Sequence, residues 1–216
     1  FNECVGMDIA LIPDLNGDMF PILILLDMAS DKIVMKLLDV PSTKVTAEAA
    51  HWGIQDGWFA WAGPMERIQK DQDSAFRGVV EDTCNELGIP QIPIAKDAHW
   101  QHGRLEIKIR IAKHMATRVF KDMNVIGPHA VAIGCFYIAN ALNKLTNNKG
   151  FSPDQWVLGQ GIRLPTSLCD VDNDPVVQAS PQPNTEFYWR LQMQQSCQEA
   201  FAASANSDFL RRTVFH

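Results

Sequence analysis

Three apolar, β-branched runs open the chain: "CVGMDIALI" (4–12), "FPILILLDM" (20–28) and "KIVMKLL" (32–38). "PDLNGDM", with its Asn16-Gly17 turn signal, separates the first two and "ASD" the last two, so the pattern predicts a three-strand meander. The texture changes at "PSTKVTAEAAHWGIQDGWFAWAG" (41–63): Ser42 or Thr43 can cap a helix, Ala and Glu favour it, and Gly63-Pro64 stops it. "MERIQ" then reads as a short strand. "SAFRGVVEDTCNELGI" (74–89) reads as an amphipathic helix with Phe76, Val79, Val80, Thr83, Cys84 and Leu87 inward. The predicted order is β-β-β-α-β-α.

"PQIPIAKDAHWQHG" (90–103) has the composition of a turn-rich loop, and "RLEIKIRIAKHMATRVFKDM" (104–123) that of a basic helix. A mostly apolar helix is predicted over "PHAVAIGCFYIANALNKL" (128–145). An irregular segment follows, "NNKGFSPDQWVLGQGIRLP", and a final helix over 185–212. No internal repeat is visible, and "DVDNDPVVQASPQPN" (170–184) has a linker's composition.

At 216 residues, 46% hydrophobic and 20% charged, the chain can build one substantial core, or one domain with an appendage. No apolar run approaches the roughly 18 residues of a membrane span, and Asp27 interrupts the longest candidate. Cys4, Cys84, Cys135, Cys169 and Cys197 are scattered and lack any C-x-x-C pair, which argues against a disulfide framework or zinc finger and for a reducing compartment. A start at Phe1 without a signal-peptide pattern is what a piece of a longer polyprotein would show.

The formal net charge of −6 excludes a surface coated for nucleic acid, but the average hides a patch. Between 104 and 121 stand Arg104, Lys108, Arg110, Lys113, His114, Arg118 and Lys121 against one acid, Glu106. Glu106, Arg110 and Lys113 share one helix face. Asp8 is equally out of place, mid-strand among apolar neighbours where a covered face asks for Val or Ile. Taken singly, Asp8 on an edge strand and a solvated Glu-Arg pair would be unremarkable. In "KDQDSAF" (70–76), Asp71 and Asp73 can serve a turn or a chemical site.

Together, "VGMDIAL", "RIQKDQDSAF" and "WQHGRLEIKIRIAK" resemble the three signature blocks of retroviral and retrotransposon integrase catalytic cores, RNase H-like proteins with an Asp, Asp, Glu active site. The family's positions fall on Asp8, on Asp71 with Phe76, and on Gln101, Gly103 and Glu106. Asp71 and Glu106 are 106 − 71 = 35 residues apart, within one residue of the family spacing. "NKGFSPDQWVLGQGIRLP" resembles the segment that copia-like elements carry after the core, so the likeness runs over about residues 3–168. Asp73 stands where the family has Gly, and neither a preceding zinc module nor a basic tail is present in the sequence, as expected of a core fragment or worn copy.

The resemblance implies an α/β fold: an RNase H-like mixed five-stranded sheet flanked by helices, with a core over 1–126 and a helical C-terminal extension over 127–216. It implies a metal-dependent polynucleotidyl transferase that trims the 3′ ends of element DNA and joins them to target DNA. Asp8, Asp71 and Glu106 would be its catalytic and metal-holding residues, with two Mg²⁺ or Mn²⁺ ions, Asp8 bridging both. Gln101, His102, Arg104, Lys108, Arg110 and Lys113 would meet DNA, the protein acting as a homo-oligomer without a membrane, in a cytoplasmic element particle or the host nucleus. The alternative is an inactive descendant that only binds DNA or assembles with other subunits. An RNase H-type nuclease keeps the fold and ions but not the Gln-x-Gly-x-x-Glu block. Trp52, Trp58 and Trp61, on one helix, are expected to pack or to form a dimer surface.

Overall fold

A computed structural model of the chain describes residues 1–71, 74–93, 99–146, 150–159 and 186–214. Strands β1 (Cys4–Pro13), β2 (Met19–Asp27) and β3 (Ile33–Leu37) form the antiparallel meander. Strands β4 (Arg67–Lys70) and β5 (Gln91–Pro93) join it in parallel, giving a mixed sheet of order β3-β2-β1-β4-β5. This is the expected five-stranded α/β sheet, although β5 lies in a segment whose composition predicts a loop. Only three residues long and containing Pro93, β5 is too short to show strand periodicity, and its pairing with β4 supplies what the pattern lacks.

Helices cover both faces. One carries α1 (Ala47–Ile54) and α3 (Val79–Glu86); the other carries α4 (His99–Asp122), α5 (Gly127–Leu145) and α7 (Glu186–Val214). Strand β2 shows why the sheet is sandwiched: Leu23 and Leu25 enter the first core, Ile22, Ile24 and Leu26 the second, so every position from Pro21 to Asp27 is buried. Helix α1 approaches closely because residue 53 is Gly, where a Cβ would stand 2.6 Å from Leu38 Cδ2.

The helix predicted over 41–63 starts at Ala47, capped by Thr46, and passes through a π turn, Gln55–Phe59, into α2, Ala60–Ala62. The wider turn shifts the helical phase, and of the three tryptophans only Trp58 enters the core, donating from Nε1 to Asn2 Oδ1 at 2.8 Å. Trp52 and Trp61 stay on the surface. The helix predicted over 74–89 is split. A 3₁₀ turn (Ser74–Phe76) ends before Gly78, at φ +63°, and α3 restarts at Val79. Phe76, Val80 and Cys84 are buried, while Val79 and Leu87, expected inward, stand at the two ends of α3 and are exposed. A further short helix, α6 (Pro153–Leu158), capped by Ser152 and Gln155, occupies part of the segment expected to be irregular. The linker candidate 170–184 lies outside the described residues.

Candidate active site

Parallel pairing of β1 with β4 sets Val5 beside Ile68 and Met7 beside Lys70. Val5, Met7 and Ile68 belong to the core under α1 and α3, so by strand alternation the next residue of β1, Asp8, faces the α4 side. Asp8 is half-buried within β1 and accepts from the Ile9 amide at 2.7 Å; Asp71 is exposed, directly after β4. The ends of parallel strands are where open α/β sheets place their sites. Asp73 lies outside the described residues.

Lys70 holds the chain as it leaves β4. Its buried ammonium donates to the Phe76 carbonyl at 2.5 Å and to Glu81 Oε1 at 3.2 Å, tying the end of β4 to the 3₁₀ turn and to α3.

The third carboxylate, Glu106, is exposed on α4. That helix begins at His99, so Gln101 and His102, expected in a loop, belong to its first turns. It crosses β1 at Gly6, where an added Cβ would meet Met28 Sδ at 3.3 Å and Leu105 Cδ2 at 3.4 Å. Glycine therefore lets Leu105 settle directly on the strand, two residues before Asp8. Arg110 and Lys113 are exposed on the Glu106 side of the helix.

Arg104 and Lys108 have a different setting. Both reach the loop between β2 and β3, where Asp31, buried and at φ +66°, faces them. Arg104 Nε stands 2.7 Å from Asp31 Oδ1 and Lys108 Nζ 3.4 Å from Oδ2, while Arg104 also donates to the Met28 carbonyl. The Arg104 contact is ionic rather than a directed hydrogen bond, because Oδ1 has no hydrogen-bond donor among the described residues. Burial pushes the Lys108 ammonium below its ordinary pKa, and the Asp31 charge opposes that shift. The loop itself is braced by Asp27, whose carboxylate accepts from Ser30 N and Oγ and from Asn2 N. The role of Lys108 was legible in principle: at 100° per residue it falls within the apolar stripe of Leu105, Ile109, Ala112 and Met115. Asp31 carried no such signal, since its partners are more than 70 residues away.

As donors, three carboxylates are the hard oxygen set suited to Mg²⁺ or Mn²⁺. Among the described residues no three His, Cys, Asp or Glu side chains stand close enough to hold a metal ion. Carboxylates about 4 Å apart repel by about 4 kcal/mol at an effective dielectric of about 20, so such a set does not close up on its own.

No protein-family model matches the sequence, and no curated protein matches it. Solved structures do. A chain of the simian T-cell lymphotropic virus intasome in complex with PP2A regulatory subunit B56 gamma matches at 17% identity and TM-score 0.60, over 76% of this chain and 56% of that one. The magnesium complex of the HTLV-2 integrase catalytic core domain, in its trimeric form, matches at 17% identity and TM-score 0.55, over 71% of this chain and 95% of that one. The catalytic core domain of BIV integrase matches at 17% identity and TM-score 0.54, over 74% and 95%. This chain thus spans little more than half of the intasome chain and nearly all of the isolated cores. At such identities the likeness is one of fold: this chain has the RNase H-like fold of the retroviral integrase catalytic core. No helix among the described residues is long and apolar enough to cross a membrane.

Proposed function

We propose that this chain is the catalytic core of a copia-like retroelement integrase, a polynucleotidyl transferase that trims the 3′ ends of element DNA and joins them to target DNA. The observation that supports the reading is the β1–β4 register, in which Asp8 and Asp71 each follow the Met7–Lys70 pair of adjacent parallel strands, with Glu106 on the helix that crosses β1. Asp8, Asp71 and Glu106 would hold two divalent cations, Mg²⁺ or Mn²⁺, in keeping with the magnesium in the HTLV-2 core structures. Such ions, when bound, polarise the phosphate and raise the acidity of an attacking water.

The protein's own part is placement. Half-buried Asp8 is fixed by its strand, while Asp71 sits where Lys70 steadies the chain. Arg110 and Lys113, one and two turns beyond Glu106, are set to take the phosphates on either side of the reacting one. Gln101 and His102, in the first turns of α4, would guide the DNA end. Arg104 and Lys108 are engaged by Asp31, so their share in DNA binding is the smaller. Assembly into a homo-oligomer fits the dimeric and trimeric HTLV-2 cores and the exposed apolar groove of about 280 Å³ that Trp61, Phe136 and Leu158 line along the edge strand β3. The protein would work in the element particle and the host nucleus.

The test is strand cleavage and joining on a labelled DNA end with Mg²⁺ or Mn²⁺, using wild type and Asp8→Ala. Metal-dependent products from wild type alone support the reading. Wild type that binds DNA and makes no product would assign the chain instead to DNA binding or assembly.

A further inference from the structure

We infer that Asp31 is a positioning residue for the metal site: by clamping Arg104 and Lys108 it sets the rotation of α4 about its axis, and so the approach of Glu106 to Asp8. The inference rests on the reading of Asp8, Asp71 and Glu106 as metal ligands. Two orderings carry it.

The first runs along β1. Cys4 accepts from the Met28 amide of the β2–β3 loop at 2.9 Å; Gly6 lies under Leu105; Asp8 is the next residue on the same face. The second runs around α4. At about 100° per residue, Arg104 lies about 100° and Lys108 about 60° to one side of Leu105, and Glu106 lies about 100° to the other. Loop, Leu105 and Glu106 across the helix therefore follow the sequence Cys4, Gly6, Asp8 along the strand. With the loop gripping one flank and Leu105 seated on Gly6, the remaining flank, that of Glu106, turns toward Asp8.

The clamp is built for such a task. Asp31 sits in the left-handed conformation, which Asp tolerates better than most residues, and its amide donates to the Asp27 carbonyl at 3.0 Å, tying the turn that presents its carboxylate. Four residues separate Arg104 from Lys108, and one carboxylate meets both, which fixes helix rotation as a single contact would not. The loop end is itself held to other elements through Asp27 and through the ion pair of Lys32 with Asp154 of α6.

The experiment measures Mn²⁺ binding by electron paramagnetic resonance, without DNA, on the whole chain. Asp31→Asn keeps the shape and tolerates φ +66° while removing the charge. The double variant Asp31→Asn with Lys108→Met leaves no lone cation buried beneath α4 and keeps the net charge of the protein unchanged, so a shift in it is not a bulk electrostatic effect. Outer-shell partners of metal sites are worth about 10- to 100-fold in affinity. The expected result is a Mn²⁺ dissociation constant raised about 10-fold or more in whichever variant is folded by circular dichroism, with the largest part of the shift present in the double variant. A folded variant that binds Mn²⁺ as wild type does overturns the role of Asp31 and leaves the metal site standing. Wild type that takes up no Mn²⁺ overturns both.

Discussion

Asp8 in β1 and Asp71, directly after the end of β4, each stand one residue past the Met7–Lys70 pair of the two parallel strands. No local motif relates them: 63 positions of chain separate them, and it is the sheet register that pairs the residues just before them. Asp71→Asn should therefore leave the fold intact, because the residue lies exposed beyond the strand end, and should reduce Mg²⁺-dependent cleavage and joining by at least about 100-fold. Asp73→Gly should keep or raise activity. Loss of catalysis in a folded Asp73 variant, with the Asp71 variant active, would reverse the assignment.

Arg110 and Lys113 are exposed on α4 and should act on phosphate rather than on stability. Replacing both by Ala should lower DNA affinity and flatten the plot of log affinity against log salt by about 0.9 per lost phosphate contact, with little change in melting temperature. A salt slope equal to that of wild type would place them on a merely solvated face.

Lys70 should matter to the fold. Lys70→Met keeps most of the volume but leaves the Phe76 carbonyl without its donor, at a cost of about 1–3 kcal/mol in urea unfolding. Glu81→Gln should cost under about 1 kcal/mol, since Glu81 is 43% exposed and pairs through solvent-screened charge. Equal effects would show that the ion pair, not the carbonyl contact, holds the loop.

Burial pushes the thiols of Cys135 and Cys197 up to about 12 from 9.0. Between these values the unfolded chain loses the protons and the folded chain keeps them, so the stability these thiols contribute is whole below pH 9 and is lost as pH rises. Each thiol adds a fall of up to about 1.4 kcal/mol per pH unit in that window. Chemical denaturation from pH 8.5 to 10.5 should therefore show a steeper decline for wild type than for Cys135→Ala with Cys197→Ala. Matching slopes would mean that the thiols ionise in the folded protein.

The sequence by itself determined the meander, the strand "MERIQ", the apolar helix after 127 and the basic helix, because each is long or periodic enough for local side-chain alternation to express it. It also singled out Asp8, Asp71 and Glu106, through their places in three blocks that together resemble the integrase core signature. Only the tertiary structure decided the rest. Strand β5 exists because β4 pairs with it, and Val79 and Leu87, which the helical pattern places inside, are exposed at the two ends of the shortened α3. Lys108 reads as one of six Lys and Arg side chains on a basic helix until Asp31, 77 residues away, is found holding it beneath that helix. Contacts across such separations depend on sheet register and helix rotation, which arise from the packing of the whole core and leave no trace in local order.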